Sequence, residues 1–259
     1  MIGSLARDRV DGATRVGGGA YHAARALRLL AGRATIVTKG ADRELLAPLV
    51  ALGLPIRFHE AETTAAFAIS NDGDHRRREV EAVGDPWTPA DARGWVADAI
   101  GRTQWLHVSP LLRSDFPAAT LAVLARGRRV LFDGQGLVRV ARTGPLAVDA
   151  AFDAETLRHV TILKLAEDEA RIVLRDLGEP SLRRLGVPEI LITLGSRGSI
   201  VYADGRVERV PARRVEADAT GAGDGFAAAY LAGRASGYAP GAAARRAASV
   251  VESMLLRRR

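Results

Sequence analysis

A chain of 259 residues, 47% hydrophobic and without cysteine, is long enough to bury a substantial core and offers neither a disulfide framework nor a thiolate. No stretch is apolar enough to span a bilayer, and the charged start MIGSLARDRV lacks the apolar run of a secretory signal, so a cytoplasmic protein with no membrane partner is expected. The formal charge of +7 comes almost wholly from arginine spread along the chain. Clusters such as Arg76-Arg77-Arg78 and Arg257-Arg258-Arg259 have no interleaved aromatics to stack on bases, which argues against a nucleic-acid partner.

Along the chain the apolar spacing switches repeatedly between strand and helix periods. After the triple glycine at 17–19, Ala20, Ala24, Leu27 and Ala31 share a helical face, and residues 34–38 read as a buried strand. Residues 42–52 return to helical spacing, and 55–59 are strand-like again. Residues 63–83 read as two extended segments about Asn71-Asp72-Gly73-Asp74, a hairpin signal. Strand-like 105–109 precedes the segment 115–127, and strand-like 129–133 follows it. Residues 161–165 precede a helix with an acidic start over 167–177, and 189–194 is another buried run. Asp204-Gly205 marks a second hairpin within 198–211. Strands alternating with helices predict one α/β domain over residues 1–259, with a mainly parallel sheet covered on both faces. The β excursion at about 57–83 is a candidate lid over a ligand site.

The most informative stretch is Asp218-Ala219-Thr220-Gly221-Ala222-Gly223-Asp224-Gly225-Phe226. Ala222, Phe226, Ala229, Tyr230 and Gly233 recur at helical spacing behind it, so a helix starts near Gly221–Gly223. Small residues there expose backbone N–H groups at the positive helix end, where a phosphate can approach. Asp224, in the first turn, is placed to take a proton from an incoming hydroxyl. Taken alone, Gly-Ala-Gly-Asp is also what an ordinary helix cap looks like. The chain has no G-x-x-x-x-G-K-[ST], and this glycine run is not G-x-G-x-x-G, which excludes a Walker-A NTPase and a dinucleotide fingerprint.

The nine-residue string resembles the C-terminal signature D-[TS]-x-G-A-G-D of the PfkB/ribokinase carbohydrate kinases, with Ala219 in place of the usual hydroxyl residue. The resemblance implies that Asp224 is the catalytic base and that Gly221, Ala222 and Gly223 form the anion hole. Gly17-Gly18-Gly19-Ala20-Tyr21-His22 is similar to the family's G-G-x-x-x-N, with His22 at the Asn position. Thr193-Leu194-Gly195-Ser196-Arg197-Gly198 is similar to T-x-G-x-x-G, a turn that approaches the nucleotide. Lys164 to Glu169 resembles K-x-N-x-x-E, with Ala166 at the Asn position and Glu169 at the Glu position. Asp8 matches an early Asp that grips substrate hydroxyls, and Asp133-Gly134-Gln135-Gly136 with Arg139 resembles a D-x-Q-G…R run to which no role is given.

The expected fold is therefore a ribokinase-like three-layer sandwich with a small β lid. Met1-Ile2 ahead of Gly3 leave room for only a short first strand. The resemblance implies ATP with Mg²⁺ as cofactors, bound by Thr193, Gly195, Gly198 and Glu169, the last holding the metal through water. It implies a small sugar or polyol acceptor held by Asp8, Gly18 and His22. A nucleoside acceptor and a catalytically weakened nucleotide-binding member are the alternatives. An apolar outer lid face would support a homodimer.

Overall fold

The computed structural model describes residues 1–30, 34–72, 75–215 and 217–257. Ala31 on the first helical face, Gly73-Asp74 of the expected turn and the last two terminal arginines lie outside the described residues, as does the Arg76 side chain. The chain opens with β1 (Ile2–Gly3), β2 (Ala6–Val10) and β3 (Ala13–Gly17). The β2–β3 hairpin turns at Asp11 and Gly12, with φ of 49° and 83°, the left-handed pair that a tight twisted hairpin needs. Then come α1 (Gly19–Leu29), β4 (Ile36–Gly40), a 3-10 turn at Arg43–Leu45, α2 (Leu46–Val50) and β5 (Ile56–Glu60). β6 (Ala65–Asp72) and β7 (His75–Ala82) pair antiparallel, as the hairpin signal predicts.

α3 (Pro89–Arg93) starts at a capping box: the Asp91 N–H donates to Thr88 Oγ1 at 3.0 Å, and the Thr88 N–H donates to the Asp91 carboxylate at 2.8 Å. α4 (Trp95–Ile100), β8 (Trp105–Ser109), α5 (Ala118–Leu124), β9 (Arg129–Asp133), α6 (Gln135–Val138) and β10 (Gly144–Pro145) follow. After a 3-10 segment at Ala154–His159 come β11 (Ile162–Ala166), α7 (Glu167–Val173), α8 (Glu179–Arg184) and β12 (Glu189–Thr193). The hairpin of β13 (Ser199–Ala203) and β14 (Arg206–Val210) turns at Asp204 and Gly205, again both at positive φ. Two long helices close the chain, α9 (Ala222–Ala235) and α10 (Pro240–Leu256).

Nine strands form the central sheet in the order β14-β13-β12-β11-β9-β8-β1-β4-β5. From β12 to β5 every pairing is parallel, and β13 and β14 are antiparallel additions at one edge. β4 is buried at every residue and β9 at all but its first, as strands covered on both faces must be. On one face Trp87, Val96, Leu121, Leu124 and Leu182 bring α3, α4, α5 and α8 onto the sheet. On the other, Phe226, Tyr230, Ala243 and Ala247 pack α9 and α10, while Ala20, Ala24 and Leu27 pack α1. The result is the ribokinase-like three-layer α/β sandwich expected from the sequence.

The second sheet has the order β10-β7-β6-β2-β3 and revises the expected excursion at 57–83 in two respects. Residues 56–60 form the edge strand β5 of the central sheet, because parallel pairing with β4 satisfies their backbone there. The early segment that includes Asp8 supplies β2 and β3, so about half of the sheet comes from outside the excursion. Its core of Ala6, Phe67, Ile69, Val80 and Leu112 faces inward. Among the described residues the large exposed apolar side chains are Val50, Val148, Val207, Tyr238 and Leu256, none of them on this sheet. No helix of the described residues is long and apolar enough to cross a membrane.

Candidate active site

The C-terminal ends of the parallel strands β8, β9 and β11 point toward the N-terminus of α9, and charge gathers where they meet. Lys164 on β11 is 5% exposed, and its Nζ donates to Asp133 Oδ1 on β9 at 3.2 Å. Burial pulls the Lys164 pKa down, but the carboxylates of Asp133, Glu169 and Asp224 more than offset it and hold the ammonium above its usual range. Burial pushes Asp224 up, against the pull of Lys164 and Arg139. Asp133 is raised in the same way, and its Oδ2 is buried without a hydrogen-bond partner. Ser109 Oγ, at the end of β8, lies 3.4 Å from Asp224 Oδ1 and can donate to it.

Backbone geometry makes this close approach. Gly221 caps α9 at φ 76°, and a Cβ there would run into the His22 ring. A Cβ at Gly223 would come 2.9 Å from Lys164 Nζ, so the small residues keep the helix end open directly above the buried cation. Across the gap, Gly18 at φ 93° turns the chain from β3 into α1.

Two cavities meet at this helix end. The larger, about 850 Å³, is lined on its polar side by Lys164, Thr193, Gly195, Gly198, Ala222 and Gly223. Its far wall is apolar and includes Phe226 of α9 and Ala248, Val251 and Leu255 of α10. Ser199 Oγ, on a residue that also lines it, has no hydrogen-bond partner. The smaller, about 90 Å³, lies beneath the second sheet and is lined by Asp8, Gly18, His22, Arg78, Arg139 and Asp224, with Phe67 as an apolar wall. It is a polar pocket able to exchange hydrogen bonds with several hydroxyls.

Of the residues singled out in the sequence, the structure brings Asp8, Gly18, His22, Gly221 and Asp224 to the small cavity and Thr193, Gly195, Gly198, Ala222 and Gly223 to the large one. Glu169 lines neither. Its Oε2 accepts the Ala166 N–H at 2.8 Å, closing the start of α7, while Oε1 lies 4.0 Å from Arg139. Glu167 and Asp168 line the large cavity in its stead. Arg139, for which the sequence offered no role, reaches the small cavity from the end of α6. Ser109 was not singled out; its only sequence signal is its place at the end of a buried strand. Among the described residues no cluster of three or more His, Cys, Asp or Glu side chains forms a ready metal cage.

A large cavity and a small one that share an anion-seeking helix end, the small one roofed by a β sheet, define the ribokinase-like class of small-molecule kinases. The model of the pfkB family of carbohydrate kinases matches residues 8–254, and the chain belongs to that family. Solved structures agree. A pyrophosphate-dependent kinase of the ribokinase family, in complex with a pyrophosphate analog and myo-inositol, is 26% identical and superposes with a TM-score of 0.83 over 99% of this chain and 95% of its own. A Burkholderia thailandensis nucleoside kinase in complex with inosine is 23% identical, with a TM-score of 0.74 over 96% of this chain and 88% of its own. Ribokinase from Thermotoga maritima, 17% identical, covers 98% of both chains with a TM-score of 0.72.

Proposed function

We propose that this kinase transfers the terminal phosphoryl group of ATP to a hydroxyl of a small polyol or sugar, with Asp224 as the general base. The observation that carries the reading is that residues 221–224 separate the two cavities, with Ala222 and Gly223 facing the large one and Asp224 the small one. An acceptor hydroxyl in the small cavity is directed at Asp224, which takes its proton as the oxygen bonds to phosphorus. The bond from phosphorus to the bridging oxygen breaks, and ADP leaves with the electron pair. The N–H groups of Gly221, Ala222 and Gly223, with Lys164 beneath them, face the charge that develops on the phosphoryl oxygens. Thr193, Gly195 and Gly198 border the same donor space. Magnesium, held through water by Glu169, would supply further positive charge to the donor phosphates.

Cavity size supports both choices of substrate. Pyrophosphate, the donor of the 26% identical kinase, would leave the apolar wall of the roughly 850 Å³ cavity unused, whereas a base and ribose would cover Phe226, Val251 and Leu255. The acceptor space of about 90 Å³ is small for a nucleoside and suits a compact polyol, the kind of molecule bound in that same relative. Asp8 and Gly18 lie there with His22, whose imidazole stands where the family's amide would. The reading places the reaction in the cytoplasm, where ATP is supplied.

The test is product release from ATP and, separately, from pyrophosphate, each with inositols, hexoses, pentoses and nucleosides, using the wild type and Asp224→Ala. Turnover of ATP with a polyol, reduced roughly 10²–10⁴-fold in the variant, is the expected result. Turnover with pyrophosphate alone overturns the donor assignment. Turnover with nucleosides alone overturns the acceptor. ATP binding without turnover for any acceptor identifies a weakened member, in line with Ala166 and Ala219 at two motif positions.

A further inference from the structure

At the N-terminal ends of the strands, opposite the active site, the central sheet has an opening. β1 contributes two residues, whereas its neighbours β4 and β8 contribute five each. Ile2 pairs with Val37 on one side and Val108 on the other, and Gly3 with Ser109. Trp105, Leu106 and His107 pair with β9 on their far edge, and among the described residues no strand pairs with them on the β1 side. The space between is a cavity of about 680 Å³ bordered by Met1, Thr35, Trp105 and Leu106, with Leu27 and Leu231 beneath. His107 also lines it; the residue is 3% exposed and neither ring nitrogen has a hydrogen-bond partner.

Met1 already occupies a ladder position. Its nitrogen donates to Thr35 O at 3.0 Å, and its carbonyl accepts the Val37 N–H at 2.8 Å, the alternation of a parallel pair. A free amine is poorly suited to that place, and burial lowers its pKa to about 5. A peptide amide there would donate the same bond without charge.

We propose that the opening between β4 and β8 is a strand-acceptor site for an extended peptide joined to the nitrogen of Met1 and running parallel to both strands. Continuing the observed register, its three residues would face Leu106, Trp105 and Gln104 in turn, about 3.3 Å per residue. Covalent continuity is favoured over a separate peptide because only acylation removes the buried amine. Both faces of the slot are covered by helices, so the segment is apolar on both faces. Its middle residue lies on the same face as Met1 and His107, where a hydroxyl would give the imidazole its missing partner. This proposal does not rest on the kinase reading.

The experiment compares the chain beginning at Met1 with two versions extended at the N-terminus, by Val-Thr-Val and by Gly-Asp-Gly. The Val-Thr-Val extension is expected to raise the thermal midpoint by about 5 °C or more. It is also expected to slow amide exchange at Leu106 and His107 roughly tenfold or more, with Gly-Asp-Gly doing neither. Equal behaviour of the two extensions, or destabilisation by Val-Thr-Val, overturns the proposal. So does equal protection of the unextended chain by free acetyl-Val-Thr-Val-amide, which would show a site filled by separate peptides.

Discussion

Lys164 is the cation that allows Asp133, Glu169 and Asp224 to stand near one another behind the helix end. Its ion pair with Asp133 is almost fully buried, and a buried pair costs far more to break than it contributes when intact. Lys164→Met leaves Asp133 uncompensated and is expected to destabilise the fold by about 3–5 kcal/mol, measured by urea unfolding. Adding Asp133→Asn removes the stranded charge, so the double variant should recover most of that stability. Turnover should not return with it, because the positive charge beneath the anion hole is still missing. Recovery of turnover in the double variant would show that Lys164 serves folding alone. The sequence placed Lys164 in a motif without a role of its own, since its partners lie 31 residues before it and 60 after it (164−133; 224−164). A contact at that separation exists only once β9 and β11 are neighbours in the sheet.

The helices that wall the donor space differ in how clearly they are written. α9 shows a glycine-rich start and apolar residues at helical spacing, and both survive folding as read. α10 is built of alanine and arginine over much of its length, so its apolar stripe is faint, yet it supplies Ala248, Val251 and Leu255 to the cavity. Ala248→Trp should fill the space assigned to the nucleoside without reaching the phosphate end. Donor titrations are expected to show KM for ATP raised about tenfold or more, worth about 1.4 kcal/mol or more, with kcat little changed. An unchanged KM would move the nucleoside elsewhere. Strand β2 was hidden for a different reason. Its alternation is Ala6, Asp8, Val10 against Arg7, Arg9, and Asp8 sits on the face that an apolar pattern would reserve for the core. A functional carboxylate inverts the pattern there, so residues 6–10 read as a charged loop.

Across the whole molecule, strand order decides where chemistry gathers. The chain passes from β1 to β4 and β5 on one side and returns to β8 on the other, so the sheet switches direction of growth at β1. Such a switch opens a crevice at the strands' C-terminal ends, and Ser109, Gly18 and Asp224 border it. Alternating periods announced the layers, but spatial order among strands has no signature in periodicity, and neither has the opening at their other end. That opening leaves His107 buried and neutral, its pKa lowered to about 3 by burial first and by the nearby amine and Lys164 next. The unfolded chain takes up a proton below about 6.5, whereas the folded one does not until about 3, so His107 lowers stability progressively as pH falls through that window. The Met1 amine, lowered from 8.0 to about 5, acts in the same direction at higher pH. Asp115, raised by burial from 3.8 to about 6, acts in the opposite direction between those values, because its folded form keeps the proton longer. Both cancel when His107→Leu is compared with the wild type at each pH. The variant should be the more stable at pH 7.5, having no unsatisfied ring nitrogens. Below pH 6.5 its advantage should widen by about 1.4 kcal/mol per pH unit, measured by denaturant unfolding from pH 4 to 8. Parallel stability curves over that range would mean that His107 finds a partner for its proton inside the fold.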